Sequence, residues 1–209
     1  PRDVFWLHGG GYVFGSPESH AFAAAHLAGS ADATVWLPDY PRAPEAAWPD
    51  QLDAACAALD ARAGSAGGPV ALIGDSAGGH LAIRAALERP GTVSSLSVIS
   101  PNTDRTGRST TRRTTGDLMN DDTTDAWLAW LVFGDDDGDD PRLSPWRDDL
   151  AALPPTTILA AANEVLLDDA LILARAAARA GRLEELRVWP GLFHLWPLWP
   201  EALPEARAA

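Results

Sequence analysis

Residues 70–79 read VALIGDSAGG, an apolar run that leads directly into a glycine-rich turn. The run predicts a short buried strand, and residues 81–88 predict a helix. Gly74 and Gly78 let the chain turn sharply between them, which leaves the Ser76 hydroxyl exposed at the end of the strand. The first amides of the helix favour a negative charge developing there. The stretch predicts a nucleophilic serine, although an ordinary glycine-rich strand-to-helix turn would have the same pattern.

Strands and helices alternate on both sides of this stretch. Strands are predicted at residues 4–7, 34–37, 70–73, 96–99, 157–161 and 186–189, and helices at 18–28, 50–62, 81–88, 125–133 and 168–180. Because the strands are apolar throughout, both faces of the sheet should be covered by helices, as in a parallel sheet. We expect an α/β fold of about six parallel strands in one domain over residues 1–209, with residues 102–140 as a cap-like insertion.

Charge and composition exclude several classes of function. The formal net charge is −13, and all 16 basic residues are arginine, which argues against nucleic-acid binding. No apolar run has the roughly 18 residues that a membrane helix needs. No signal peptide is recognisable, so a cytoplasmic location is expected. Cys56 is the single cysteine and is expected in the core, and no cysteine–histidine cluster has zinc-ligand spacing.

A second glycine-rich segment follows the first predicted strand. His8-Gly9-Gly10-Gly11, called here the glycine loop, allows backbone N–H groups to converge where side chains would block them. Acyl transfer needs such donors for its tetrahedral oxyanion. A phosphate cradle is a poorer interpretation, because the glycine spacing fits no nucleotide motif and the chain has no lysine. A merely flexible loop is the remaining alternative.

A nucleophilic serine needs a base, and the chain has five histidines. His194 follows the last predicted strand, so it should lie at the same carboxyl edge of the sheet as Ser76. His80 lies one turn after Ser76 on the same helix, but the hydroxyl should point away from the helix body. The other histidines are expected to pack or to shape the glycine loop: His8, His20 and His26.

The acid that orients the base should come from the loop after the fifth strand. Residues 163–169 read NEVLLDD and offer three carboxylates. Glu164 lies nearest the strand end and is the preferred acid, whereas Asp168 and Asp169 are typical of a helix cap and first turn. The order serine, acid, histidine is that of α/β-hydrolases.

The chain resembles the hormone-sensitive-lipase-like bacterial esterases of the α/β-hydrolase superfamily. Five motifs carry the resemblance: HGGG at 8–11, YPRAPE at 40–45, GDSAGG at 74–79, EVLLDD at 164–169 and PGLFH at 190–194. It implies Ser76 as nucleophile, His194 as base and Glu164 as acid, where many members carry aspartate. It also implies that the amides of Gly10, Gly11 and Ala77 form the oxyanion hole and that Asp75 and Tyr40 support the glycine loop.

The sequence also differs from the family pattern before its first predicted strand. Such enzymes usually carry a further segment before the HGGG strand, with two strands and part of a helical cap. Without it, strand 34–37 is expected at an exposed edge. The site should be more open than usual unless a partner subunit, as in a homodimer, covers it.

These observations together predict a serine hydrolase that cleaves carboxylic esters of small to medium acyl chain through an acyl-enzyme, without a cofactor. The partner is a small-molecule ester, with no nucleic acid and no membrane. A lactone or amide hydrolase with the same three residues is the nearest alternative. A non-catalytic ligand-binding relative is another, but such proteins lack the catalytic histidine that is retained here as His194.

Overall fold

The computed structural model describes residues 2–113 and 116–209. The strands are β1 (Arg2–Leu7), β2 (Ala33–Trp36), β3 (Val70–Asp75), β4 (Val93–Ile99), β5 (Thr156–Ala161) and β6 (Leu183–Trp189). They form one six-stranded sheet in the order β2-β1-β3-β4-β5-β6, and every neighbouring pair is parallel. The predicted sheet is confirmed, and β2 is an edge strand as expected.

Helices connect successive strands. They are α1 (Pro17–Ala31), α2 (Asp50–Ala66), α3 (Ala77–Glu88), α4 (Asp122–Phe133), α5 (Leu167–Arg179) and α6 (Pro204–Ala208). Short 3₁₀ turns span Thr111–Arg113, Pro145–Arg147, Leu150–Ala152 and Trp196–Leu198. Helix α4 begins earlier than its apolar pattern predicts, because the Asp121 side chain caps it by accepting the Thr124 N–H at 2.9 Å.

The inner strands of the sheet are mostly buried, as their apolar sequences predict, whereas the edge strands β2 and β6 are partly exposed. Neighbouring strand residues alternate between two apolar clusters: Phe5 belongs to the larger and Trp6 to the smaller. The larger cluster includes side chains of α2, α3 and α5, and the smaller includes alanines of α1 and α6. Cys56 is buried in the larger cluster, and burial raises the pKa of its thiol to about 11. The confirmed arrangement is therefore a parallel sheet with helices on both faces.

Residues 102–140, called here the insertion, lie between β4 and β5 and carry the turn Thr111–Arg113 and helix α4. Leu128 of α4 lies against the glycine loop, where a Cβ on Gly11 would come within 2.5 Å of the leucine side chain. The insertion is thus in contact with the carboxyl edge of the sheet. No helix among the described residues is long and apolar enough to cross a membrane.

Candidate active site

Ser76 lies in the tight turn between β3 and α3. Its backbone has φ +51° and ψ −118°, a conformation that costs energy for any residue except glycine. The flanking glycines are required by close packing: a Cβ on Gly78 would come within 2.1 Å of the Leu7 carbonyl oxygen. The Ser76 N–H donates to the Ile99 carbonyl at 2.9 Å, and its own carbonyl accepts the Asn102 N–H at 3.1 Å. These bonds hold the strained turn in place.

The structure brings Ser76, His194 and Glu164 into one hydrogen-bonded chain. The Ser76 hydroxyl lies 3.0 Å from His194 Nε2, and His194 Nδ1 lies 3.2 Å from Glu164 Oε2. The other carboxylate oxygen of Glu164 accepts the Ala161 N–H at 3.2 Å. All three residues are at least 94% buried, with exposures of 6%, 4% and 1%. The three positions selected from the sequence therefore meet at the carboxyl edge of the sheet.

The surroundings of His194 raise the pKa of its ring. Burial lowers the pKa of the imidazole, but the hydrogen bond and charge of Glu164 and the charges of Asp117 and Asp75 outweigh it, so the pKa is raised above its usual value. Because Nδ1–H donates to the carboxylate, Nε2 carries the lone pair that accepts the Ser76 proton. This arrangement is suited to removing a proton from the serine hydroxyl.

The glycine loop is anchored from below by Asp75, which is completely buried. One oxygen of its carboxylate accepts the Trp6 indole N–H at 2.7 Å. The other accepts the Gly9 N–H at 2.9 Å and the His20 Nε2–H at 3.1 Å. His20 therefore does more than the packing expected from the sequence, because it shares the carboxylate that fixes the loop.

A second support comes from Tyr40. Its hydroxyl donates to the His8 carbonyl at 2.6 Å, and its ring stacks on the His8 imidazole at 4.2 Å between centroids. Gly10 and Gly11 have φ of +118° and +60°, which favours glycine at both positions. The loop is therefore held in a definite shape.

Three backbone N–H groups, two in the glycine loop and one directly after Ser76, remain available for an oxygen atom. Within the described residues, the amides of Gly10 and Gly11 have no hydrogen-bond acceptor. Ala77 is the first residue of α3, so its amide has no partner within the helix. Free amides next to a nucleophile are what a developing oxyanion requires.

His80, the alternative base, points into the core and away from the Ser76 hydroxyl. Its Nε2–H donates to the Arg142 carbonyl at 2.7 Å, and burial lowers its pKa to about 3. Its ring packs among Tyr12, Trp48 and Phe133. This histidine is a neutral core residue and does not contact the Ser76 hydroxyl.

Asp168 and Asp169 lie in the first turn of α5 as predicted, but their carboxylates bind the insertion. Asp168 accepts the Thr110 N–H at 2.7 Å. Asp169 accepts the N–H groups of Thr103 and Asp104 at 2.9 and 2.8 Å. Neither carboxylate contacts His194, so the geometry favours Glu164 as the acid.

Asp117 has no counterpart in the sequence predictions. Its carboxylate accepts the Val165 N–H at 3.0 Å and the His194 N–H at 3.4 Å. It lies in a polar, irregular segment where no periodicity or glycine pattern distinguishes one aspartate from another. No signal in a single sequence identifies it.

A small cavity of about 230 Å³ adjoins the glycine loop. Gly9 and Gly10 form part of its wall, and the apolar lining comes from Met119, Leu195, Leu198 and Trp199. Its walls suit a short apolar group held beside Gly10 of the glycine loop.

A family model for the alpha/beta hydrolase fold matches residues 4–198. The chain is 37% identical over 216 residues to an acetyl-hydrolase of Streptomyces hygroscopicus, covering 100% of this chain and 72% of that protein. It is 35% identical over 224 residues to carboxylesterase NlhH of Mycobacterium tuberculosis, covering 99% and 70%. A solved hormone-sensitive lipase from a metagenome library superposes with a TM-score of 0.93 at 32% identity, over 99% of this chain and 74% of that one.

Proposed function

The chain belongs to the α/β-hydrolase family, in its hormone-sensitive-lipase-like branch, and from this premise we propose that it is a carboxylesterase acting through Ser76. The hydrogen-bonded chain from Ser76 through His194 to Glu164 is the observation that carries the proposal. Similarity to esterases, carboxylesterases and an acetyl-hydrolase supports the same reaction.

In the proposed first step, the Ser76 oxygen attacks the ester carbonyl carbon while His194 Nε2 takes the hydroxyl proton. The carbonyl oxygen becomes an oxyanion that accepts hydrogen bonds from the amides of Gly10, Gly11 and Ala77. Glu164 holds the Nδ1–H and stabilises the imidazolium. His194 then gives its proton to the leaving alcohol, and the acyl group remains on Ser76.

In the second step, water attacks the acyl-enzyme. His194 takes a proton from the water and returns it to the Ser76 oxygen as the carboxylic acid leaves. The triad residues and the backbone amides perform every proton transfer and charge stabilisation, and the scheme uses no cofactor.

The cavity beside the glycine loop supports small to medium acyl groups. Its volume of about 230 Å³ and its apolar lining suit an acyl chain of a few carbons lying against Met119 and Trp199. We also infer that the insertion acts as a reduced cap, since Leu128 lies against the glycine loop. The homodimer and the cytoplasmic location stay predictions.

Hydrolysis of p-nitrophenyl butyrate tests the proposal. Ser76→Ala should lower kcat by about 10⁴-fold or more, because no other side chain replaces the nucleophile. Ser65→Ala is the matched control, since that hydroxyl is exposed on α2 and bonds only to the Ala61 carbonyl. A fluorophosphonate label should be found on Ser76 by mass spectrometry. Equal rates for wild type and Ser76→Ala would refute the assignment.

A panel of esters, lactones and amides then identifies the class of substrate. We expect p-nitrophenyl esters of two to about six acyl carbons to be cleaved fastest, because the apolar lining offers contacts for a chain of only that length. Faster turnover of lactones or amides would favour the alternative hydrolase with the same three residues.

A further inference from the structure

Asp117 contacts both loops that carry the acid and the base. Its Oδ2 accepts the N–H of Val165, the residue directly after Glu164, at 3.0 Å. Its Oδ1 accepts the N–H of His194 itself at 3.4 Å. One half-buried carboxylate from the insertion thus joins the loop after β5 to the loop after β6.

We propose that Asp117 is a positioning residue for ester hydrolysis, holding the backbones of the acid and base loops together so that Glu164, His194 and Ser76 stay aligned. The inference rests on the proposed function and assigns Asp117 no contact with substrate. It gives the insertion an indirect part in the reaction, because loss of these contacts would let the acid and base loops move apart.

Asp117 Oδ1 also accepts the Met119 N–H at 3.0 Å, within the insertion itself. The amides of Val165 and His194 have no other partner in the described part of the chain. Without the carboxylate, both loops would lose their backbone hydrogen bond at the point where they present a catalytic side chain. Glutamate has an additional rotatable bond compared with aspartate, so its carboxylate depends more on the backbone for its position. A displacement of about 1 Å in such a site costs about 10²-fold in rate.

Asp117 also acts on His194 through its charge. Three carboxylates act on the buried ring: Glu164 bonds it directly, Asp117 accepts the backbone N–H of His194, and Asp75 at the end of β3 adds a further negative charge. Burial lowers the pKa of His194, and these negative charges raise it. The base works only when neutral, so activity falls as pH drops below this pKa. Removing the Asp117 charge lowers the pKa and moves the acid limb of the kcat/KM profile to lower pH.

Asp117→Asn is the first test, because it keeps the shape and one acceptor oxygen and removes the charge. We expect kcat for p-nitrophenyl butyrate to fall about 10- to 100-fold with a smaller change in KM, because the carboxylate reaches the proposed acyl cavity only through the Met119 N–H. The acid limb should shift to lower pH. Asp121→Asn is the matched control: its carboxylate also binds backbone within the insertion, at Thr124, but touches neither loop.

Asp117→Glu separates the effect of the carboxylate charge on the His194 pKa from its effect on the alignment of the two loops. Because it keeps the negative charge, the acid limb should stay near that of wild type while kcat still falls, owing to the longer side chain. If circular dichroism shows that Asp117→Asn does not fold, Asp117→Glu decides the question. A wild-type kcat in Asp117→Glu, or an acid limb that moves to lower pH although the charge is kept, would then overturn the proposal.

Failure of the proposed function and failure of the Asp117 proposal give different results. A wild-type enzyme without Ser76-dependent activity refutes the proposed function, whatever Asp117 does. A wild type with that activity, together with a folded Asp117→Asn of unchanged kcat and unchanged acid limb, overturns only the positioning role. An equal loss in Asp121→Asn overturns it as well, because any carboxylate of the insertion would then be equivalent.

Discussion

Glu164 reaches His194 with a side chain one methylene longer than aspartate. Both of its oxygens are engaged, one by the imidazole at 3.2 Å and one by the Ala161 N–H at 3.2 Å. The second bond fixes the orientation of the carboxylate, which offsets the greater freedom of the longer side chain. Glutamate can therefore fill a position where aspartate is common.

Glu164→Gln should lower kcat by about 10³- to 10⁴-fold, because the amide has no charge to stabilise the imidazolium and can present its NH₂ to Nδ1. Asp168→Asn is the matched control, since that carboxylate binds Thr110 and Thr111 instead of the base. Its kcat should stay within about threefold of wild type. Steady-state kinetics on the two variants measure the difference. If Asp168→Asn is the more damaged enzyme, Glu164 is not the acid.

Among the helices and turns, the insertion is held to the fold by a buried ion network. Arg112 pairs with Asp125 of α4 and, at 2.8 Å, with Asp169 of α5. Arg105 adds a second cation on Asp125 at 2.7 Å. Burial opposes both charges, but the paired charges dominate, so the pKa of Asp125 lies below and that of Arg112 above its usual value. The network joins two helices and the turn that carries Arg112.

Arg112→Ala should lower the free energy of unfolding by about 3–5 kcal/mol, because it leaves Asp169 buried without its cation. Arg187→Ala is the matched control, since its pair with Glu185 is exposed to solvent and should contribute far less to stability. Urea denaturation followed by circular dichroism gives both values. Similar losses for the two variants would show that the network does not hold the insertion.

Across the whole molecule, the features that can be predicted from the sequence are those set by local patterns of apolar and glycine residues. Apolar runs predict the strands, and their carboxyl ends place Ser76 and His194 at one edge before any distance is known. Asp117 and Arg112 could not be predicted, because their partners are distant in sequence and they lie in an irregular segment without periodicity. The contact between His20 and Asp75 also depends on tertiary packing, since helical spacing alone shows only that the histidine faces inward.

The exposed edge of the sheet is partly shielded. Trp36 of β2 is 42% exposed, but the Arg62 guanidinium stacks over its ring at 4.4 Å and Asp3 accepts its indole N–H at 3.0 Å. A charged group over an edge strand discourages pairing with another sheet. These neighbouring side chains therefore make the β2 edge less able to pair with another sheet.

The positive φ of Ser76 has a consequence for the thermal stability of the whole protein. At φ +51° and ψ −118°, a residue with a Cβ is strained by about 1–3 kcal/mol, whereas glycine adopts this conformation without strain.

Ser76→Gly and Ser76→Ala both lack the hydroxyl and should both be inactive. The glycine variant should be the more stable by about 1 kcal/mol and melt about 2–4 °C higher in calorimetry. An alanine variant that melts as high as the glycine variant would contradict this. Catalysis therefore requires serine at a position where glycine would give the more stable protein, and selection for activity retains the less stabilising residue.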